Sequence, residues 1–215
     1  MSDIQLVIFD CDGVMFDSKN ANREYYNHIL AQFGHPPMVE DELEYVHAHH
    51  VEDSVRHIYR NYPADYKKAD EYRKQLDYTP YLKYMLMEPD LIEFLEFLKP
   101  SFKIAISTNR SSTMNIVLSM FDLTKYYDMV VTALDVEKSK PHPEALHKIL
   151  AHFQCTAESA IYIGDSYIDR EHTEAVGMEM IAFKKPGLSA EYHVSSFMEI
   201  VRLGLLDPVC ATSKL

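Results

Sequence analysis

Five short apolar runs, rich in β-branched residues, punctuate the chain: QLVIF at 5–9, KIAIS at 103–107, DMVVTA at 128–133, AIYIG at 160–164 and MIAF at 180–183. Each is bounded by polar or turn-forming residues, the pattern of strands buried on both faces, as in a parallel sheet. Between the last four lie stretches with helical spacing. SSTMNIVLSMF (111–121) opens on a Ser cap and sets Met114, Val117, Leu118 and Phe121 on one helical face. PEALHKILAHF (143–153) begins with Pro and aligns Leu146, Ile149 and Leu150, while DREHTEAVGM (169–178) ends at Gly177, a C-cap residue. Strands alternating with helices imply right-handed crossovers and an open α/β sheet.

The interval after Ser18 breaks the alternation. It holds no convincing strand, whereas Tyr26, Ile29, Leu30 and Phe33 keep helical spacing, as do Val55, Ile58, Tyr59 and Tyr62; GHPP (34–37) marks a turn. The pattern predicts an all-helical insert at 18–87, before the helix PDLIEFLEFLK (89–99), and a core domain made of 1–17 and 88–215. The Tyr-rich, charged composition of the insert suits a small lid with hinges at Phe16–Ser18 and Met87–Pro89.

Composition narrows the function. At 215 residues and 47% hydrophobic content the chain can bury a generous core. A net charge of −12 argues against nucleic acid or an anionic membrane as the main partner, since both call for a basic footprint, but not against a small anionic substrate. No run of eighteen apolar residues occurs, and MSDIQLVIFD lacks the basic start of a signal peptide, so a cytoplasmic protein is expected. Cys11, Cys155 and Cys210 have neither disulfide nor zinc spacing and read as reduced thiols.

In an open parallel sheet ligands bind beyond the carboxyl ends of the strands. Those ends carry Asp10 and Asp12, then Thr108 and Asn109, then Lys140 somewhat further on, then Gly164 and Asp165. Carboxylates for a divalent cation thus converge with hydroxyl, amide and ammonium groups for a phosphate. Taken singly, each has an ordinary alternative: Asp10 and Asp12 as turn or capping residues, Asp165 and Asp169 as N-terminal helix acids, Thr108 as an N-cap, Lys140 as a solvated loop lysine.

In order along the chain, IFDCDGVMFDS, IAISTN, KSKPHP and GDSYID resemble the four motifs of the haloacid dehalogenase superfamily, in its phosphatase and phosphomutase branch. The insert resembles the type 1 cap of phosphoglycolate phosphatases and β-phosphoglucomutases. The resemblance implies a three-layer, Rossmann-like parallel sheet with an inserted helical cap, and magnesium-dependent hydrolysis of a small phosphomonoester through an aspartyl phosphate. Phosphoglycolate, a sugar phosphate or a nucleoside monophosphate would be the substrate, and the protein a monomer or small homo-oligomer. It makes Asp10 the nucleophile and a magnesium ligand, together with the carbonyl of Asp12 and Asp165; Asp169 would support the metal shell or orient Lys140. Asp12 would protonate the leaving alcohol and then activate water. Cys11, Gly13, Thr108, the Asn109 amide and Lys140 would surround the phosphate, Thr108 and Lys140 also serving catalysis, and Cys11 being a small buried side chain rather than a nucleophile.

Arg23, His49 and His50 are candidate substrate contacts in the insert; a zinc site among His47, His49, His50 and His57 is disfavoured by their spacing. Asp12 speaks against dehalogenation, where the second motif Asp is lacking. A β-phosphoglucomutase-like mutase is the alternative, and a non-catalytic phosphate-binding module a further one.

Overall fold

The structure, a computed structural model, describes residues 4–49 and 51–206. In chain order the elements are β1 (Leu6–Phe9), β2 (Phe16–Asp17), α1 (Lys19–Gln32), α2 (Glu40–Ala48), α3 (Val51–Ile58), α4 (Tyr66–Arg73), β3 (Leu86–Met87), α5 (Leu91–Leu98), β4 (Lys103–Ser107), α6 (Met114–Met120), β5 (Met129–Val131), α7 (Glu144–Phe153), β6 (Ala160–Gly164), α8 (Tyr167–Glu174), β7 (Glu179–Phe183), β8 (Tyr192–Val194) and α9 (Phe197–Arg202). They form two compact units, Met1–Phe16 with Met87–Leu215, and Asp17–Leu86. Strands β2 and β3 pair as a separate two-stranded ribbon.

The first unit carries a six-stranded sheet in the order β5-β4-β1-β6-β7-β8, and every pairing in it is parallel. Alternation of side chains along β1 supplies both layers of the core. Leu6 and Ile8 join Ala105, Tyr162, Met180 and Ala182 in a cluster closed by Ala145, Leu146 and Ile149 of α7. Phe9, on the other face, meets Phe94 of α5 and Phe197 of α9 at ring separations of 5.9 and 5.8 Å. Helices on both faces of a parallel sheet make an α/β fold of the Rossmann type. After β5 the chain returns to the other side of β1, so the order reverses around the central strand, where such sheets place their ligands.

The second unit is helical, α1–α4 followed by a 3₁₀ stretch at Thr79–Tyr84. Tyr26, Ile29, Leu30, Val55, Ile58 and Tyr59 are buried in it, and the Tyr59 hydroxyl donates to the Ile29 carbonyl at 2.9 Å.

Sequence boundaries shift at several places. Helix α6 starts at Met114 rather than at Ser111; α2, α4, β2, β8 and α9 have no counterpart among the predicted elements, and β3 places a strand at Leu86–Met87, at the end of the insert expected to be all-helical. Helix α8 starts two residues before Asp169, because Ser166 caps it by accepting the Asp169 N–H at 3.2 Å.

Candidate active site

Asp10 follows β1 directly and is held in the sheet by its N–H, which donates to the Ile163 carbonyl at 2.9 Å. The chain then turns through Gly13, whose φ is +81°. A Cβ there would lie 2.3 Å from Oδ2 of Asp165, so only glycine lets this loop pass so close to that carboxylate.

Lys140 is the hub. Its buried ammonium lies 2.8 Å from Asp10 Oδ1 and 2.7 Å from Asp169 Oδ1, and donates to the Tyr162 hydroxyl at 3.0 Å. The Tyr162 hydroxyl is in turn 3.0 Å from both the Ser107 carbonyl and Asp169 Oδ1. Asn109 fixes the lysine's backbone: its Nδ2 donates to the Lys140 carbonyl at 3.1 Å, and its Oδ1 accepts the Lys140 N–H at 3.0 Å.

Asp10, Asp165 and Asp169 each bring a carboxylate oxygen within 4.8 Å of the others. They are not equivalent. Asp169 Oδ2 accepts from the N–H groups of Asp165 and Ser166 and from the Ser166 hydroxyl, at 3.2, 3.1 and 2.6 Å. Burial works against its charge, but Lys140 and these donors prevail and hold the carboxyl below its usual range. Burial pushes Asp10 up to about 8, with Lys140 opposing and the two neighbouring carboxylates adding to the rise. Asp165 is pushed up to about 7 by burial and Asp169. Lys140 is held well above its ordinary value, the carboxylates of Asp10 and Asp169 outweighing its burial. The ionised forms of Asp10 and Asp165 are thus the ones short of compensation, an all-oxygen donor pair that fits a hard divalent cation. Asp169 already has both oxygens engaged and acts on Lys140 rather than as a free donor.

Thr108 Oγ1 accepts the N–H of Arg110 at 3.1 Å, and the Thr108 N–H donates to Val131. Arg110, absent from the sequence-derived candidates, clamps Asp12 through two nitrogens: Nε donates to Oδ2 at 3.0 Å and Nη2 to Oδ1 at 2.5 Å. Tyr162 was equally invisible in a run that reads simply as a buried strand. A polar hydroxyl within AIYIG, and a cation directly after IAISTN, were the available signals. Cys11 is fully buried, and burial with the nearby Asp12 carboxylate drives its thiol well above the ordinary range, which disfavours the thiolate.

Arg23 and His49 belong to the helical unit. Arg23 pairs with Glu40 at 3.0 Å, and the exposed His49 ring stacks on Tyr45 at 3.8 Å. His50 lies outside the described residues.

Residues 7–183 match the family model of haloacid dehalogenase-like hydrolases. The chain belongs to that family. It is a hydrolase on an α/β core. A HAD-superfamily hydrolase of subfamily IA, variant 1, from Geobacter sulfurreducens PCA is 36% identical, with a TM-score of 0.85 over 94% of this chain and 97% of that one. Pyrophosphatase PpaX of Bacillus cereus (strain B4264) is 27% identical over 176 residues, 77% of this chain and 76% of its own. A predicted phosphoglycolate phosphatase from Haemophilus somnus 129pt, 17% identical, shares the fold with a TM-score of 0.78 over 95% of this chain and 99% of that one. Among the described residues no helix is long and apolar enough to cross a membrane.

Proposed function

We propose that this hydrolase is a magnesium-dependent phosphatase that removes phosphate from a small phosphate ester or anhydride through an aspartyl phosphate on Asp10. The observation that supports it most is the convergence of Asp10, Lys140, Asp165 and Asp169 at the ends of the central strands, with one ammonium bound between two of the acids.

In this reading Asp10 attacks phosphorus, splitting one difficult hydrolysis into two displacements. Lys140, anchored by Asp169, Tyr162 and the Asn109 clamp, stays beside Asp10 and offsets charge on the transferring group. Thr108 contributes its hydroxyl to the phosphoryl oxygens; Asn109, its carboxamide engaged with Lys140, contributes its backbone N–H. Asp12 carries the proton to the leaving group and then takes one from water. Asp10, Asp165 and the Asp12 carbonyl would hold magnesium, which when bound supplies positive charge to the phosphate oxygens. The helical unit Asp17–Leu86 is read as the cap, with Arg23 and His49 as its candidate substrate contacts.

Phosphate release from a panel including phosphoglycolate, hexose phosphates, nucleoside monophosphates and inorganic pyrophosphate, each with magnesium and with EDTA, tests the reading. We expect metal-dependent turnover of one compound well above the rest, and its loss in Asp10→Asn with the fold intact. Undiminished turnover by Asp10→Asn would remove the mechanism, and absence of release from every compound would favour a mutase.

A further inference from the structure

Arg110 is in direct contact with the Asp12 carboxylate, and the mechanism above leaves it without a task. Its side chain is 7% exposed, and each of its three nitrogens that donate is committed: Nε and Nη2 to the two oxygens of Asp12, Nη1 to the Thr113 hydroxyl at 3.0 Å. Its backbone is fixed as well, since its N–H donates to Thr108 Oγ1 and its carbonyl accepts from Ala133 at 3.3 Å. A planar guanidinium gripped at both ends imposes one orientation on a bidentate carboxylate, which a point-charge ammonium on a flexible stem cannot do.

We propose that Arg110 is a positioning residue for proton transfer by Asp12, with Thr113 as the anchor of the clamp. The inference rests on the phosphatase reading above. When an oxygen of Asp10 bonds to phosphorus, the bond from phosphorus to the leaving oxygen breaks and its electron pair stays on that oxygen. The proton it receives comes from the Asp12 carboxyl. That carboxyl has two single-bond rotations of its own, and the Arg110 clamp restricts them to one arrangement. The importance of this restriction grows with the basicity of the leaving group. An aryl oxide departs with little help, whereas an alkoxide requires the proton.

The test compares kcat/KM for 4-nitrophenyl phosphate, phenyl phosphate and 2-phosphoglycolate in the parent, Arg110→Ala, Arg110→Lys and Thr113→Val, with melting temperatures recorded for each. Positioned general acid catalysis contributes roughly 10²–10⁴-fold, so Arg110→Ala should lose about 10²-fold or more on the alkyl ester and about fivefold or less on the nitrophenyl ester. Thr113→Val should show the same tilt at a few-fold scale, and Arg110→Lys should recover part of the alkyl activity while leaving the tilt visible. Equal losses across the series, or none, in the folded variants would overturn the assignment. A parent enzyme whose turnover survives Asp10→Asn would instead overturn the phosphatase reading itself, so the two failures are told apart.

Discussion

Lysines and arginines meet carboxylates in both units of this chain, with opposite consequences. In the helical unit Lys19 pairs with Glu40 and Glu44, Arg23 with Glu40 and Arg60 with Glu42, mostly on exposed side chains. In the α/β unit Lys140 and its partners Asp10 and Asp169 are all buried. Water screens the first set, which contributes little net stability. The second set is withdrawn from solvent: Lys140 pairs with Asp10 and Asp169, Lys185 reaches Asp165 only at 4.0 Å, and burial raises the carboxyls of Asp10 and Asp165. A fold tolerates such carboxyls when something else supplies the missing positive charge, and that is why the chemistry is assigned to the strand ends and not to the charge-rich helices.

Breaking the hub gives the largest effect. Lys140→Met removes the ammonium between Asp10 and Asp169, and loss of one such stabilising group typically lowers kcat by about 10²–10³-fold. It also leaves a buried carboxylate without its ion partner, which costs about 3–5 kcal/mol. Steady-state kinetics and chemical denaturation read the two effects separately.

The next effect is on pH. A carboxyl whose folded pKa is raised stabilises the fold fully below its unfolded value, near 3.8, and that contribution is lost as pH rises through the folded value, about 8 for Asp10 and about 7 for Asp165. These two groups therefore lower the melting temperature of metal-free protein as pH rises from 4 to 8. Asp169, lowered instead, contributes in the opposite sense and only on the acid side. Magnesium should restore more melting temperature at pH 8 than at pH 5, because the ion binds the ionised carboxylates. Scanning calorimetry with magnesium and with EDTA reads the difference, and an equal gain at both pH values would place the ion elsewhere.

The smallest effect belongs to the helical unit. Arg60→Ala breaks a surface pair with Glu42 and should change stability by about 0.2–1 kcal/mol with turnover unchanged. A large loss of activity would give that surface a part in the reaction.

Sequence pattern alone determined the parallel sheet, because a strand buried on both faces must be apolar along its length and QLVIF, KIAIS and AIYIG can be little else. It also delivered Asp10, Thr108, Lys140 and Asp165 as candidates, since topology requires the ends of adjacent parallel strands to share one edge of the sheet. Strand β8 was not legible: Tyr192–Val194 is three residues long, too short to carry a period, and exists because β7 offers it a parallel edge. What each carboxylate does was decided only by tertiary contacts. Asp169 and Asp165 are both acids near the start of a helix in sequence, yet one lies in the first turn of α8, where the Ser166 cap and Lys140 saturate it, and the other lies outside the helix under Gly13, with Lys185 no nearer than 4.0 Å. Arg110 and Tyr162 became visible for the same reason: a guanidinium reaching Asp12 from 98 positions away, and a core tyrosine whose hydroxyl emerges at the buried lysine, are facts of distance in space that no local spacing encodes.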